Sequence, residues 1–263
     1  MNLLVFDQQE LTGSRLVLAD RRSSHLLQVL KIEIGQKVRV GLVGQGVGFA
    51  TVTSIASPTS REHILPPTVE LEVGPVNMST RGRQVDLLLA LPRPQTLKKV
   101  LEIVATMGVN RLFLCGASRV EKSYFQSKLL RANAYKEYLR LGMEQGLNVF
   151  EPEVVVTTKL REALSLAHQN NQLKLVFDTS TKQSMIEIDQ SICSSEPGPV
   201  LMAIGPEGGW IDRENELFSE LGYRSVSLGS YILRVESAVC AALAKLEMLF
   251  ELNEAIREGR NIS

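Results

Sequence analysis

The pattern of apolar and polar residues changes near residue 77 of the 263-residue chain. Before that point, short apolar segments alternate with glycine and proline, a pattern typical of β-strands joined by turns. It predicts a small barrel or sandwich, with strands at 2–6, 15–18, 36–41, 47–55 and 69–73. A helix is predicted over 21–30, because Asp20 is a suitable N-cap and leucines follow at helical spacing. Loop residues are expected over 57–67 and a linker over 74–80.

From residue 84 onward the pattern predicts alternating strands and helices. The strands are expected at 85–91, 111–114, 173–177, 200–204 and 224–228. The helices are expected at 94–107, 123–141, 158–168, 212–221 and 236–252. Such alternation is typical of an α/β domain with a mostly parallel sheet. We therefore expect two domains, residues 1–76 and residues 77–263.

Two of the predicted strands end in loops that contain glycine. The strand over 200–204 leads into Gly205-Pro206-Glu207-Gly208-Gly209, and the next strand leads into Gly229-Ser230-Tyr231. Ligands of open α/β sheets bind at the carboxyl ends of the strands, so these loops predict a small-molecule site. Ile232 and Leu233 add apolar walls, which suit an adenine ring beside free backbone polar groups. Read alone, the first loop is better explained as a turn in which glycine supplies a positive φ.

Two charged residues near these loops each allow two interpretations. Arg234 directly precedes the last predicted helix and is either a structural partner of Glu236 or a stabiliser of charge in a transition state. Glu207 is either a turn residue or a carboxylate close to a cationic cofactor.

The net charge of zero conceals an uneven distribution. Residues 79–140 hold twelve Lys/Arg against four acidic residues, whereas residues 144–220 hold thirteen acidic residues against five Lys/Arg. The basic segment is typical of a protein that binds a polyanion such as RNA. The alternative is a pair of solvated helical surfaces of opposite sign.

Other features exclude several classes of protein. No apolar run approaches the roughly 20 residues of a membrane helix, and the N-terminus lacks the features of a secretory signal. The three cysteines and three histidines are scattered, which predicts neither disulfides nor a metal site and favours the cytoplasm. No serine or cysteine shows the pattern of a catalytic nucleophile.

The segment G-P-E-G-G, followed by L-G-x-x-I-L-R-x-E-S-A and an Ala/Leu-rich helix, resembles a known family. It is similar to the RsmE family, the 16S ribosomal RNA (uracil-N3) methyltransferases of the SPOUT superfamily. The resemblance is most specific over residues 200–247. It extends to the N-terminal segment S-H-L-L-Q-V-L-K with Gly35, and to Met107-Gly108-Val109.

This resemblance implies a PUA-like β-barrel that helps to bind RNA, followed by a trefoil-knot α/β domain that forms a homodimer. It implies S-adenosyl-L-methionine as cofactor, with Arg234 on the substrate side as the catalytic residue. The implied cofactor-binding residues are Ile204, Gly205, Glu207, Gly208, Gly209, Leu228, Gly229, Ser230, Ile232 and Leu233. No metal is implied.

The expected RNA contacts are basic residues that would hold phosphate groups: Lys31, Arg81, Arg83, Arg93, Arg119 and Lys122. The chain departs from the family pattern on this presumed RNA face. Ile103, Thr106, Ser118, Leu147 and Asn148 replace residues usual in the family, and Lys31 replaces an arginine. The cofactor loops show no such changes.

We therefore predict methyl transfer from S-adenosylmethionine to N3 of a uridine in small-subunit ribosomal RNA. As the N3 proton leaves, negative charge spreads onto the flanking carbonyls, which Arg234 would stabilise. The departures keep two alternatives open: a non-catalytic RNA-binding or assembly factor, and a methyltransferase with a different RNA target. A metabolic enzyme with another adenine cofactor fits the loops but not the basic segment.

Overall fold

The structure is a computed structural model that describes residues 2–56, 67–168, 173–185, 187 and 198–258. The chain divides into two units. The first comprises Met1–Gly82 and Arg140–Glu151, and the second comprises Arg83–Leu139 and Pro152–Ser263. The loop expected over 57–67 lies outside the described residues, apart from Pro67.

Strands of the first unit form a six-stranded sheet within the described residues, in the order β1-β4-β5-β6-β3-β2. β1 pairs with β4 in parallel, and the other pairs are antiparallel. Their apolar side chains close on a core that includes Phe6, Leu16, Val40 and Leu71. The strands are β1 (Leu4–Phe6), β2 (Leu11–Thr12), β3 (Arg15–Leu18), β4 (Lys37–Leu42), β5 (Gly46–Ala56) and β6 (Thr68–Met78).

The predicted N-terminal helix is present as α1 (Arg21–Gln28). Its first turn is capped as expected, because the carboxylate of Asp20 accepts a hydrogen bond of 2.7 Å from the backbone N–H of Arg22. The Arg22 guanidinium also donates to this carboxylate. These bonds lower the pKa of Asp20, although partial burial acts in the opposite direction.

The prediction of a linker over 74–80 is wrong for residues 74–78, because β6 continues to Met78. The end of β6 pairs with the start of β5, where Gly46 faces Met78 and Gly48 faces Val76. A Cβ on Gly46 would lie only 1.9 Å from the carbonyl oxygen of Asn77. Glycine therefore lets the two backbones approach closely enough to extend the strand.

The second unit contains a parallel six-stranded sheet, in the order β12-β10-β11-β7-β8-β9 among the described residues. This confirms the predicted mixed α/β class with a parallel sheet. Every residue of β7 and β11 is buried, as expected for strands covered on both faces. The strands are β7 (Val85–Ala90), β8 (Arg111–Cys115), β9 (Glu153–Val156), β10 (Leu173–Phe177), β11 (Val200–Ile204) and β12 (Arg224–Val226).

Helices cover this sheet close to the predicted positions. In the second unit these are α2 (Pro94–Thr106), α3 (Lys128–Arg131), α5 (Leu160–Ala167), α6 (Asp212–Glu220) and α7 (Val235–Arg257), and α4 spans Tyr135–Gly146. α2 ends before Gly108, which has a φ of +73°. α2 and α7 pack against each other. α7 is longer than expected, because residues 252–257 contain good helix formers and no glycine or proline.

The single helix expected over 123–141 is wrong. The chain instead forms a 3₁₀ helix (Lys122–Gln126), then α3 and α4. The Ser123 hydroxyl donates to the neighbouring Glu121 carboxylate rather than capping a helix. Asn133 has a left-handed φ of +51°, which separates α3 from α4.

Candidate active site

A cavity of about 210 Å³ opens at the carboxyl ends of β10, β11 and β12. These three strands are neighbours in the parallel sheet, so the loops that follow them meet at one edge. Nine of the ten predicted cofactor residues line the cavity: Ile204, Gly205, Glu207, Gly208, Gly209, Leu228, Gly229, Ile232 and Leu233. The tenth, Ser230, is not among the described lining residues.

The first glycine loop, residues 205–209, is a tight turn backed by aromatic side chains. The N–H of Gly209 donates to the carbonyl of Pro206 at 2.8 Å, and Gly209 has a φ of +74°. A Cβ on Gly205 would lie 3.2 Å from the indole of Trp210. Trp210 in turn packs edge-on against Phe218, with ring centroids 4.9 Å apart. The turn thus favours glycine at position 209 for its positive φ, and a Cβ at position 205 would require the indole to shift slightly.

The second glycine loop, residues 227–233, combines a fixed start with exposed apolar residues. The N–H of Gly229 donates to the Ser227 hydroxyl at 3.2 Å, and Gly229 has a φ of +135°. The ammonium of Lys245, on α7, donates to the carbonyl of Leu228 at 2.9 Å. Tyr231 and Ile232 are 85% and 86% exposed. Their side chains therefore present an apolar surface at the mouth of the cavity.

A third loop, absent from the sequence prediction, completes the cavity. It follows β10 and contributes Phe177, Asp178 and Thr179. The Asp178 carboxylate accepts hydrogen bonds from Asn215 at 2.9 Å and from the Ser180 hydroxyl at 2.7 Å. The strand over 173–177 was predicted, but the place of β10 between β11 and β12 is what brings this loop to the site.

Arg234 stands at the N-cap of α7, between the cavity-lining residues Leu233 and Val235. Its side chain is exposed and is not among the described lining of the cavity. The neighbouring Glu236 carboxylate forms an ion pair of 3.1 Å with Lys99 on α2. The pKa of Glu236 is lowered by its own backbone N–H, by Lys99 and by the charge of Arg234. Glu236 therefore stays ionised at the start of the helix, where the helix dipole favours it.

Three of the predicted RNA-binding residues lie at the same edge of the sheet as the cavity. Arg93 follows β7, and Arg119 and Lys122 follow β8. The charges of Arg93 and Glu207 both reach Tyr124. The pKa of Tyr124 is raised by desolvation, by its hydrogen bond to Glu121 and by Glu207, and Arg93 opposes this shift. Arg93 and Glu207 of the first glycine loop therefore lie on the surface around Tyr124.

Of the other three predicted RNA-binding residues, one belongs to the second unit and two belong to the first. Arg83 precedes β7 at the opposite edge of the sheet, where its guanidinium lies 4.5 Å from the Phe250 ring and pairs with Glu254 at 3.4 Å. Lys31 and Arg81 belong to the first unit. Lys31 is exposed and adopts a φ of +50°.

Positions at which the chain departs from the family pattern have identifiable structural settings. Ile103 and Thr106 lie on α2 and are partly buried. Leu147 has a left-handed φ of +56° directly after α4, a place where glycine is the usual residue. The Asn148 side chain accepts from the N–H of Phe150 at 2.9 Å and donates to its carbonyl at 3.1 Å. Asn148 therefore stabilises the turn that Leu147 begins.

Two further observations concern the described residues only. No helix among them has both the length and the apolar character needed to cross a membrane. Histidine, cysteine, aspartate and glutamate do not gather there in a group of three that could bind a metal ion.

Comparison with known proteins identifies the family. A family model described as an RNA methyltransferase domain matches residues 80–247. The ribosomal RNA small subunit methyltransferase E of Treponema pallidum is 30% identical to this chain, over 93% of the chain and 90% of its own length. The chain belongs to the small subunit methyltransferase E family. This confirms the family indicated by the glycine-loop motifs.

Other members of the methyltransferase E family agree in extent and fold. A relative from Borreliella burgdorferi is 24% identical over 92% of this chain and 95% of its own length. The crystal structure of the Neisseria gonorrhoeae protein bound to S-adenosyl methionine superposes with a TM-score of 0.72. That match covers 94% of this chain and 98% of the other at 20% identity, which shows a common fold.

Proposed function

We propose that this chain transfers the methyl group of S-adenosylmethionine to N3 of a uridine in 16S ribosomal RNA of the small subunit. The observation that carries the proposal is the cavity at the ends of three adjacent parallel strands. Nine residues implied by the family motif line it, and Arg234 follows directly in the chain. Membership of a methyltransferase family supports the same reaction.

The chemistry of the cavity fits the methyl donor. Ile204, Leu228 and Leu233 supply apolar surface for an adenine ring, and the glycine loops offer backbone N–H and C=O groups to its edge. The carboxylate of Glu207 favours a cationic sulfonium. S-adenosylmethionine supplies an activated methyl group. The residues proposed to hold it are Ile204, Gly205, Glu207, Gly208, Gly209, Leu228, Gly229, Ser230, Ile232 and Leu233.

Arg234 is the proposed catalytic residue. A uridine that loses its N3 proton spreads negative charge over two flanking carbonyl oxygens. Arg234 is the N-cap residue of α7, and its exposed guanidinium stabilises that charge as it develops. The uridine must be unpaired or extruded, because N3 is hidden within a base pair.

Basic side chains hold the RNA backbone in this proposal. Arg93, Arg119 and Lys122 lie at the edge of the sheet where the cavity opens. Lys31, Arg81 and Arg83 extend the set of proposed phosphate contacts. Such contacts position an RNA substrate and make its affinity depend steeply on salt.

The family also supports a proposed organisation of the chain. Residues 1–76 form a PUA-like β-barrel that binds RNA, and residues 77–263 form a SPOUT trefoil-knot domain. The protein acts in the cytoplasm as a homodimer, with neither a metal ion nor a membrane as partner.

One experiment tests the reaction and its position. Purified protein and labelled S-adenosylmethionine are incubated with small ribosomal subunits from cells that lack the gene, and the RNA is mapped by mass spectrometry. We expect one 3-methyluridine in 16S RNA, and transfer that is about 100-fold slower with Arg234→Ala. RNA binding without transfer would instead identify a non-catalytic factor. A methyl group elsewhere would identify a different target.

A further inference from the structure

Arg119, a proposed RNA contact, also forms a hydrogen bond with the first glycine loop. Its Nη1 donates a hydrogen bond to the carbonyl oxygen of Gly208. The aliphatic stem of the side chain also packs on the loop, since a Cβ on Gly208 would lie 2.9 Å from Cδ of Arg119. A Cβ at position 208 would therefore force the Arg119 side chain to shift.

A buried carboxylate ties the backbone beside Arg119 to the same loop. Glu214, on α6, is 7% exposed. Its Oε1 accepts from the N–H of Ser118 at 2.7 Å, and its Oε2 accepts from the N–H of Ile211 at 3.0 Å. The segment after β8 and the segment that follows the first glycine loop are therefore joined through one side chain. Charge-assisted bonds of this kind are strong and directional.

The guanidinium of Arg119 still has donors for a second partner. It is exposed, and the hydrogen bond described for it uses one of its five N–H groups. A guanidinium binds phosphate through its planar, forked donors. Arg119 can therefore bind the RNA backbone and hold the Gly208 carbonyl at the same time.

We infer that Arg119 couples RNA binding to methyl-donor binding, by fixing the first glycine loop when a phosphate group of the RNA engages its guanidinium. This inference rests on the proposed function and deepens it. Arg119 acts on the donor through Gly208 and is thus a positioning residue for that ligand. Coupling of this kind is reciprocal, so RNA strengthens donor binding by the same factor as the donor strengthens RNA binding.

The test measures the affinity for S-adenosylhomocysteine, an unreactive stand-in for the methyl donor, by equilibrium dialysis. Each variant is measured alone and with small ribosomal subunits from cells lacking the gene. The subunit concentration is well above the dissociation constant of that variant for the subunits. For the unaltered protein we expect subunits to strengthen binding about five- to tenfold. Arg119→Met keeps the stem that packs on Gly208 and removes the guanidinium. For this variant, the ratio of the dissociation constant without subunits to that with subunits should fall to about one.

Arg93→Met is the matched control. Arg93 lies at the same edge of the sheet, but the hydrogen bond described for it is to Thr96, 3.2 Å away. Its removal should weaken RNA binding and keep the five- to tenfold ratio. Equal melting temperatures for the two variants establish that both are folded.

The outcomes separate the inference from the proposed function. A normal ratio in Arg119→Met, the loss of the ratio in Arg93→Met, or a ratio of one in the unaltered protein would each overturn the coupling. Failure of the unaltered protein to bind S-adenosylhomocysteine or to methylate RNA would overturn the proposed function itself.

Discussion

The ammonium group of Lys245 lies 2.9 Å from the carbonyl oxygen of Leu228. Lys245 stands in the middle of α7, and Leu228 lies in the second glycine loop, so the helix holds the loop by its backbone. This bond fixes the direction of the Leu228 carbonyl. It also holds the backbone of the second glycine loop at the wall of the cavity.

Removing this bond should weaken binding of the methyl donor. Lys245→Met keeps most of the side-chain volume but loses the charged donor, so the dissociation constant for S-adenosylmethionine should rise about tenfold. Lys174→Met is the control, because Lys174 also donates to a backbone carbonyl, that of Leu221, at 2.9 Å. Leu221 lies outside the cavity lining. Titration calorimetry compares the variants, and equal affinities would show that the Lys245 bond does not support the site.

Arg234→Ala should separate catalysis from donor binding. The guanidinium stabilises charge that appears only as methyl transfer proceeds, so kcat should fall about 100-fold. Because Arg234 is outside the described cavity lining, the dissociation constant for the donor should change less than about twofold. Arg161→Ala, which removes an exposed arginine from α5, provides the control and should leave both quantities unchanged. A parallel loss of affinity and rate in Arg234→Ala would place Arg234 in donor binding instead.

Gly229→Ala should damage the cavity through backbone conformation rather than through a clash. No atom lies within 4 Å of the position that its Cβ would take, but its φ of +135° is one that other residues rarely adopt. We expect a loss of stability of about 1–3 kcal/mol if the loop keeps its shape, or a weaker donor affinity if the loop relaxes.

Gly222→Ala is the control for this prediction. Gly222 has a φ of +78° with equally open surroundings, and it lies in the turn after α6, outside the cavity lining. It should lower the midpoint of urea unfolding with donor affinity unchanged. If neither measured property of Gly229→Ala changed, the conformation of Gly229 would not matter to the site.

The sequence predicted the parts of the fold that depend on local pattern. The buried strands over 173–177 and 200–204 are found at the expected residues, because continuous apolar runs between turns have few alternatives in an α/β domain. The prediction of one helix over 123–141 is wrong for an equally local reason. Its break depends on the left-handed conformation of Asn133, which helical periodicity does not reveal.

Contacts between segments that are far apart in the chain could not be predicted from the sequence. Asp178 joins the cavity only because β10 lies between β11 and β12, and the chain order of the strands does not give that arrangement. Likewise, Arg119 was expected to contact RNA, but its bond to Gly208 joins residues 89 positions apart. The glycine-loop motif indicated the family and half of the residues that line the cavity, while the third loop and the links between loops required the structure.

Cys115 and Cys240 should differ sharply in reactivity. Cys115 ends β8 with no exposed surface, whereas Cys240 is exposed on α7. Burial, together with the nearby charge of Glu214, raises the pKa of the Cys115 thiol from 9.0 to about 12. Because alkylating reagents attack the thiolate, iodoacetamide at pH 8.5 should modify Cys240 and spare Cys115 until the protein is unfolded in urea. Peptide mapping distinguishes the sites, and equal rates in the folded protein would contradict the burial of Cys115.

The same shift predicts how stability depends on pH. The folded state keeps the Cys115 thiol neutral up to about pH 12, while the unfolded chain ionises near the ordinary value of 9.0. The unfolded state therefore binds fewer protons in this interval, and the free energy of unfolding should fall as the pH rises above 9.0. Urea unfolding at pH 8 and pH 10 measures the effect. Cys115→Ala, which cannot ionise, should show a smaller decrease over the same interval, and an equal decrease would exclude Cys115 as its source.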